Sequence, residues 1–162
     1  MGEVTRGELR ANAARLAATL RGLGVRRGDR VVAYLPNVPE AIVGVLACAS
    51  LGAIWSSCSP DFGPRSVIDR FAQIEPKVLL AVDGYRYGGK DFDRRGAVQE
   101  VLAELPTVEH VIVLGYLDPA PPLEGLGNAI RWEDALASGA GMPLAFEQVP
   151  FDHPLDRKST RL

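Results

Sequence analysis

RVVAYLPNVPEAIVGVLACASLGAIWSSCS, Arg30 to Ser59, is the stretch on which the fold turns. RVVAYL is a short β-rich run with no polar alternation, which predicts a strand buried on both faces. Pro36 and Asn37 turn the chain. Pro39 suits the first turn of a helix, where a missing N–H costs nothing. EAIVGVLACASL is apolar nearly all round, which predicts a buried helix. Gly52 stops it, and AIWSSCS is a second strand that turns polar at its end. Strand, helix, strand with no alternation is the signature of a parallel βαβ unit.

The pattern repeats outward. Upstream, Thr5 and Glu8 have capping-box spacing, and Leu9, Ala13, Leu16, Ala17, Leu20 and Leu23 recur at three and four, so a helix precedes the first strand and ends at Gly22 and Gly24. Downstream, Pro64 opens a helix with Val67, Ile68, Phe71 and Ile74 on one face. KVLLAV, Lys77 to Val82, is a third strand, and DGYRYGGK reads as a glycine-rich loop. A helix striped by Val98, Val101, Leu102 and Leu105 ends at Pro106. HVIVLG, His110 to Gly115, is a fourth strand. DPAPPLEGLGN is a loop, and RWEDALASG a short helix. The expected fold class is α/β, a mostly parallel sheet with helices on both faces. Ligands of such sheets bind at the carboxyl ends of the strands.

Composition agrees with one globular domain: 162 residues, 47% hydrophobic and 23% charged. A net charge of −2 gives no reason to expect nucleic acid or an anionic membrane as partner. There is no 18-residue apolar run and no secretory pattern in MGEVTRGELR. Cys48 and Cys58 lie outside CxxC spacing, so reduced thiols in a cytoplasmic protein are expected.

Two glycine-rich stretches invite a phosphate-binding reading. GLGVRRG, Gly22 to Gly28, lies after a helix and before a strand, the reverse of what pyrophosphate binding requires, so it reads as cap and turn. GYRYGGK, Gly84 to Lys90, follows a strand, precedes a helix and matches G-x-x-x-x-G-K. Asp91 stands where a P-loop needs Ser or Thr, and a carboxylate there would repel phosphates. Arg86 and Lys90 at a strand end still suit a phosphate-bearing ligand; the alternative is a solvated loop with splayed charges. In SPDFG, Ser59 to Gly63, Asp61 is expected to order the turn through backbone N–H groups. His110 and His153 read as structural, Cys48 as a packed thiol, Trp55 and Trp132 as core aromatics. Cys58 has no assignable base or cation. No catalytic triad, metal cluster or glycosidase carboxylate pair is legible, so no residue is assigned to catalysis or to a metal.

Taken together, YLPNVPEA followed by LGAIWS resembles the N-terminal region of adenylate-forming acyl-CoA synthetases. SSCSPDFG, RFAQIEPKVLLAVDGYRYGGKDFDR and FDHPL are similar to the corresponding strings of acetoacetate–CoA ligases. The resemblance runs from about Thr5 to Leu155. It implies a two-step ligase acting on acetoacetate, ATP and CoA, through an acyl-adenylate with release of pyrophosphate and then a thioester, with Mg2+ offsetting phosphate charge. Acetyl- or propionyl-CoA synthetases, or a small nucleotide- or CoA-binding module, are the alternatives. In related short-chain synthetases the stretch matching DGYRYGGK lies beside the nucleotide end of CoA. The resemblance therefore implies that Arg86 contacts a CoA phosphate, with Lys90 as a neighbouring candidate.

The resemblance also implies boundaries. A segment like FDHPL leads into a strand and a Ser/Thr/Gly-rich loop that grips the ATP phosphates; DRKSTRL stands here instead and resembles the translation of a sequencing-library adapter. Residues 1–155 are thus expected to be a partial N-terminal domain and 156–162 a non-native tail. Without the phosphate loop, the chain is expected to lack ligase activity and to self-associate through exposed apolar surface.

Overall fold

The computed structural model describes residues 3–156. The expected foreign tail lies, from residue 157 onward, outside the described residues. The chain begins with helix α1 (Arg6–Gly22), strand β1 (Arg30–Tyr34), helix α2 (Pro39–Leu51) and strand β2 (Ile54–Cys58). Helix α3 (Pro64–Phe71) follows, tightened by a 3-10 turn at Ala72–Ile74, and then β3 (Val78–Val82). Two short strands, β4 (Gly84–Tyr87) and β5 (Lys90–Asp93), precede α4 (Arg95–Ala103), β6 (His110–Leu114), β7 (Ala129–Arg131) and α5 (Trp132–Ser138).

Five strands make one sheet in the order β2-β1-β3-β6-β7, with every neighbouring pair parallel. The buried strands carry period-two side chains onto two apolar layers. Val31, Ala33, Val78, Leu80 and Ile112 face a core shared with Leu16, Leu20, Val43, Ala47, Trp55 and Trp132, which belong to α1, α2, β2 and α5. Val32, Tyr34, Leu79, Ala81 and Val113 face the other way, onto Val67 and Phe71 of α3 and Val98 and Val101 of α4. Helices therefore cover both faces, as the unalternating strands predict.

Local chemistry explains the helix ends. Thr5 Oγ1 accepts from Glu8 N at 3.2 Å while Thr5 N donates to Glu8 Oε2 at 2.7 Å, closing the capping box. The α1 C-cap is Leu23, with Gly24 rather than Gly22 taking the left-handed turn. Thr19 Oγ1 donates to Ala135 O, tying α1 to α5. Helix α2 lies close on the sheet because Gly44 has no side chain: a Cβ there would come within 2.5 Å of Trp55 Cη2.

Three expectations need correction. DGYRYGGK is not a loop but most of an antiparallel hairpin, in which Tyr85 faces Phe92 and Arg86 faces Asp91. Helix α2 is not wholly buried, since Ile42 is 53% and Leu46 44% exposed. Its outer side has no sheet beneath it. A strand, β7, also lies between the expected loop, which ends at Asn128, and the expected helix, and takes Arg131 from that helix; it is too short and half-buried to show alternation.

The stretch Phe151–Leu155 runs back to the sheet. Trp55 N donates to Leu155 O at 3.0 Å, and Trp55 and Asp156 form a parallel bridge on the outer edge of β2. His153 Nε2 lies 2.7 Å from Gly52 O, and Glu147 N donates to Ser50 O at 2.8 Å, so the segment is pinned to the α2–β2 corner. No helix among the described residues is long and apolar enough to cross a membrane.

Candidate functional site at the carboxyl edge of the sheet

The strand order reverses between β1 and β3, because β2 lies to one side of β1 and β3 to the other. Such a switch point opens a crevice at the carboxyl ends. Three segments meet there: the turn after β2, the β4–β5 hairpin after β3, and the loop after β6.

The turn after β2 is built around Tyr34. Its ring is fully buried, and its hydroxyl lies 2.7 Å from Phe62 O and 3.1 Å from Pro60 O, so it can donate to either carbonyl. Burial pushes the phenol up. Tyr34, not Asp61, orders this turn: Asp61 is exposed, and the other bond closing it runs from Phe62 N to Ser59 O at 3.2 Å. Cys58 has the cation that spacing could not assign. Arg70 Nη1 lies 3.8 Å from Cys58 Sγ, and the same guanidinium covers the Phe62 ring at 4.8 Å. Burial raises the Cys58 thiol and Arg70 offsets part of that rise. Cys48, wholly enclosed, is pushed up by burial alone. Both thiols are free.

The hairpin carries the exposed cations. Gly88 and Gly89 hold φ of 57° and 75°, the pair of left-handed residues a type I′ turn demands. On one side of the ribbon Tyr85 and Phe92 stack with centroids 5.0 Å apart, and Arg94 lies over Tyr85 at 5.2 Å while donating to its hydroxyl at 3.0 Å. Arg94 Nε is buried without a hydrogen-bond partner. Cross-strand from Arg86, Asp91 accepts from Nε at 2.6 Å and from Nη2 at 3.3 Å. This bidentate pair holds the Asp91 carboxyl below the usual carboxylate range, chiefly through the side-chain hydrogen bond. Arg86 remains 59% exposed, and among the described residues its Nη1 group and second Nη2 proton have no partner. Lys90 has no hydrogen bond or ion pair among the described residues, and Tyr87 beside it is 77% exposed.

The hairpin settles the G-x-x-x-x-G-K match. A P-loop glycine run opens a helix whose N–H groups cradle phosphate. Here Lys90 opens a strand, and α4 starts only at Arg95. Asp91 is not a misplaced hydroxyl but the residue that orients Arg86. Nor do the described residues contain three His, Cys, Asp or Glu placed to hold a metal ion. The Gly84–Lys90 stretch is therefore not a P-loop cradle for nucleotide phosphates. An open cleft of about 400 Å3 flanks the start of α4, but its Arg95 is taken up by Asp93 at 2.5 Å.

Comparison with known proteins completes the picture. A family model described as AMP-binding enzyme matches residues 2–155. The acetoacetyl-CoA synthetase of Mus musculus is 45% identical over 158 residues, covering 94% of this chain and 24% of that protein. The acetoacetyl-coenzyme A synthetase of Rhizobium meliloti (strain 1021) is 47% identical over 154 residues, covering 94% and 23%. A solved structure, acetoacetyl-CoA synthetase from Streptomyces lividans, superposes with a TM-score of 0.89 at 54% identity, covering 96% of this chain and 23% of that one. The chain spans about a quarter of the length of the curated relatives it matches.

Proposed function

The chain belongs to the AMP-binding enzyme family, and from that premise we propose that it supplies the CoA-phosphate contact of an ATP-dependent acid–CoA ligase that makes acetoacetyl-CoA. The observation that carries the reading is Arg86: an exposed guanidinium, pre-oriented by Asp91, on a hairpin at the carboxyl edge of a parallel sheet. Arginine held in this way presents paired N–H groups to phosphate oxygens. Lys90 adds a positive charge, unpaired among the described residues, one strand away, and Tyr87 offers an exposed ring for the adenine. Asp91 plays two opposed parts, aiming Arg86 while repelling an anionic ligand.

In this reading the chain binds and orients one substrate and does not perform the ligation itself. ATP and Mg2+ would supply acyl activation in the complete ligase. The family and its reduced, unpaired thiols support a cytoplasmic setting.

Calorimetric titration of the full 162-residue chain with adenosine 3′,5′-bisphosphate, the phosphate end of CoA, tests the reading. The expected result is saturable, salt-sensitive binding that Arg86→Ala weakens roughly tenfold, with the melting temperature unchanged. Absence of binding by the wild-type chain, or binding indifferent to Arg86→Ala, would overturn it.

The outward side chains Ile42, Leu46, Phe146, Phe151 and Leu155 support a second element of the proposal. They give the chain an apolar surface that the rest of a ligase would cover, and the chain alone should self-associate through it. Sedimentation at rising concentration checks this; a monodisperse monomer throughout would count against it.

A further inference from the structure

Asp83 directly follows β3 and is only 4% exposed. Three consecutive backbone N–H groups converge on it from the loop after β6. Tyr116 N donates to Oδ1 at 2.8 Å, Leu117 N to Oδ1 and Oδ2 at 3.0 and 3.2 Å, and Asp118 N to Oδ2 at 2.8 Å. Successive N–H groups that converge in this way form an anion-binding concavity. Here the occupant is the protein's own carboxylate, which satisfies the requirement that a buried charge be fully hydrogen-bonded.

The backbone of Asp83 is equally committed. Its N–H donates to Leu114 O at 3.1 Å, and its carbonyl accepts from Arg94 N at 2.8 Å, just beyond the end of β5. One residue thus joins the ends of β3 and β6, the loop and the foot of the hairpin. The loop also presses on that foot. A Cβ on Gly84 would come 2.3 Å from Leu117 Cδ1 and 2.4 Å from Phe92 O.

We propose that Asp83 is a positioning residue for the phosphate-binding hairpin: by locking residues 116–118 against Gly84 it sets the direction in which β4–β5 leaves the sheet. The inference rests on the CoA-phosphate reading for its purpose, but its mechanical part can be tested without ligand. A two-stranded ribbon has little stability of its own, so its orientation must come from its base. Asparagine cannot replace Asp83, because its NH2 would face one of the N–H donors and leave it buried without an acceptor.

The test follows backbone amide exchange in the full chain, with and without adenosine 3′,5′-bisphosphate, for Asp83→Asn, Asp83→Glu, Leu117→Ala and Arg86→Ala. Asp83→Asn is expected to speed exchange of the hairpin's cross-strand amides roughly tenfold or more. It should weaken bisphosphate binding about as much as Arg86→Ala, while the amides of β1 and β3 stay protected. Asp83→Glu, which keeps the carboxylate, should restore part of both. Leu117→Ala leaves the carboxylate bonds and removes the loop–hairpin contact, so it decides the matter if Asp83→Asn does not fold. Faster exchange at 116–118 with an unchanged hairpin, in Asp83→Asn or in Leu117→Ala, would overturn the inference. Failure of the wild-type chain to bind the bisphosphate would defeat the CoA reading alone, since the ligand-free exchange still judges Asp83.

Discussion

Gly22–Gly28 and Gly84–Lys90 look alike on paper, each a glycine-rich stretch with two basic residues, and they do opposite things with their charge. The first lies at the amino edge of the sheet. Arg26 Nη1 donates to Arg21 O and Val25 O, and Arg27 Nη1 to Gln148 O. Lys77 reaches in to donate to Gly24 O at 2.8 Å and lies 3.6 Å from Asp29 and 3.9 Å from Glu109. Backbone carbonyls and carboxylates of the protein occupy these cations. At the carboxyl edge, Arg86 shares itself with one carboxylate and Lys90 with nothing described. Glycine spacing therefore does not identify a ligand site. What distinguishes the two regions is whether the fold has already satisfied the donors.

Substituting the glycines is the harshest way to break the comparison. Gly84→Ala should cost about 1–3 kcal/mol, since its Cβ meets Leu117 and the Phe92 carbonyl. Gly22→Ala, with nothing within 4 Å, should raise stability by up to about 0.5–1 kcal/mol through helix propensity. Urea denaturation midpoints read both, and equal effects at the two sites would erase the distinction. Exchanging the lysines is a gentler probe. Lys77→Met should cost about 1–3 kcal/mol, because a partly buried carbonyl and Asp29 lose their cation, and should leave bisphosphate binding unchanged. Lys90→Met should alter stability by no more than about 0.5 kcal/mol and weaken that binding a few-fold. Thermal melts paired with the titration separate the cases; a destabilised but fully binding Lys90→Met would reverse the assignment.

Much of the fold was legible because it is written in short-range signals. The Thr5–Glu8 box, Pro39, Gly52 and Pro64 each mark a helix end where the structure has one. The hairpin carries only a weak signal: two adjacent glycines flanked by Tyr-x-Tyr and Lys-x-Phe fit a two-residue turn between ribbon strands. Its four-residue strands bury almost nothing, so the apolar pattern that announces the other strands is missing. The sequence offers Arg86 and Lys90 as candidates, while Asp91 reads there only as a defect in a P-loop. The roles of Tyr34 at the turn, Arg70 at Cys58 and Asp83 at the β6 loop had no local sign at all.

The residues alone determined that VVAY, VLLAV and HVIVL would be interior strands and that helices would join them, because burial on two faces leaves an uninterrupted apolar run and helix caps act over three or four positions. Only the tertiary structure decided which charges are consumed and which are offered. Lys77 meets Gly24 across 53 positions and Asp83 meets Tyr116 across 33. Electrostatic and hydrogen-bond saturation depends on distance in space, and the chain brings those partners together only when the sheet has formed.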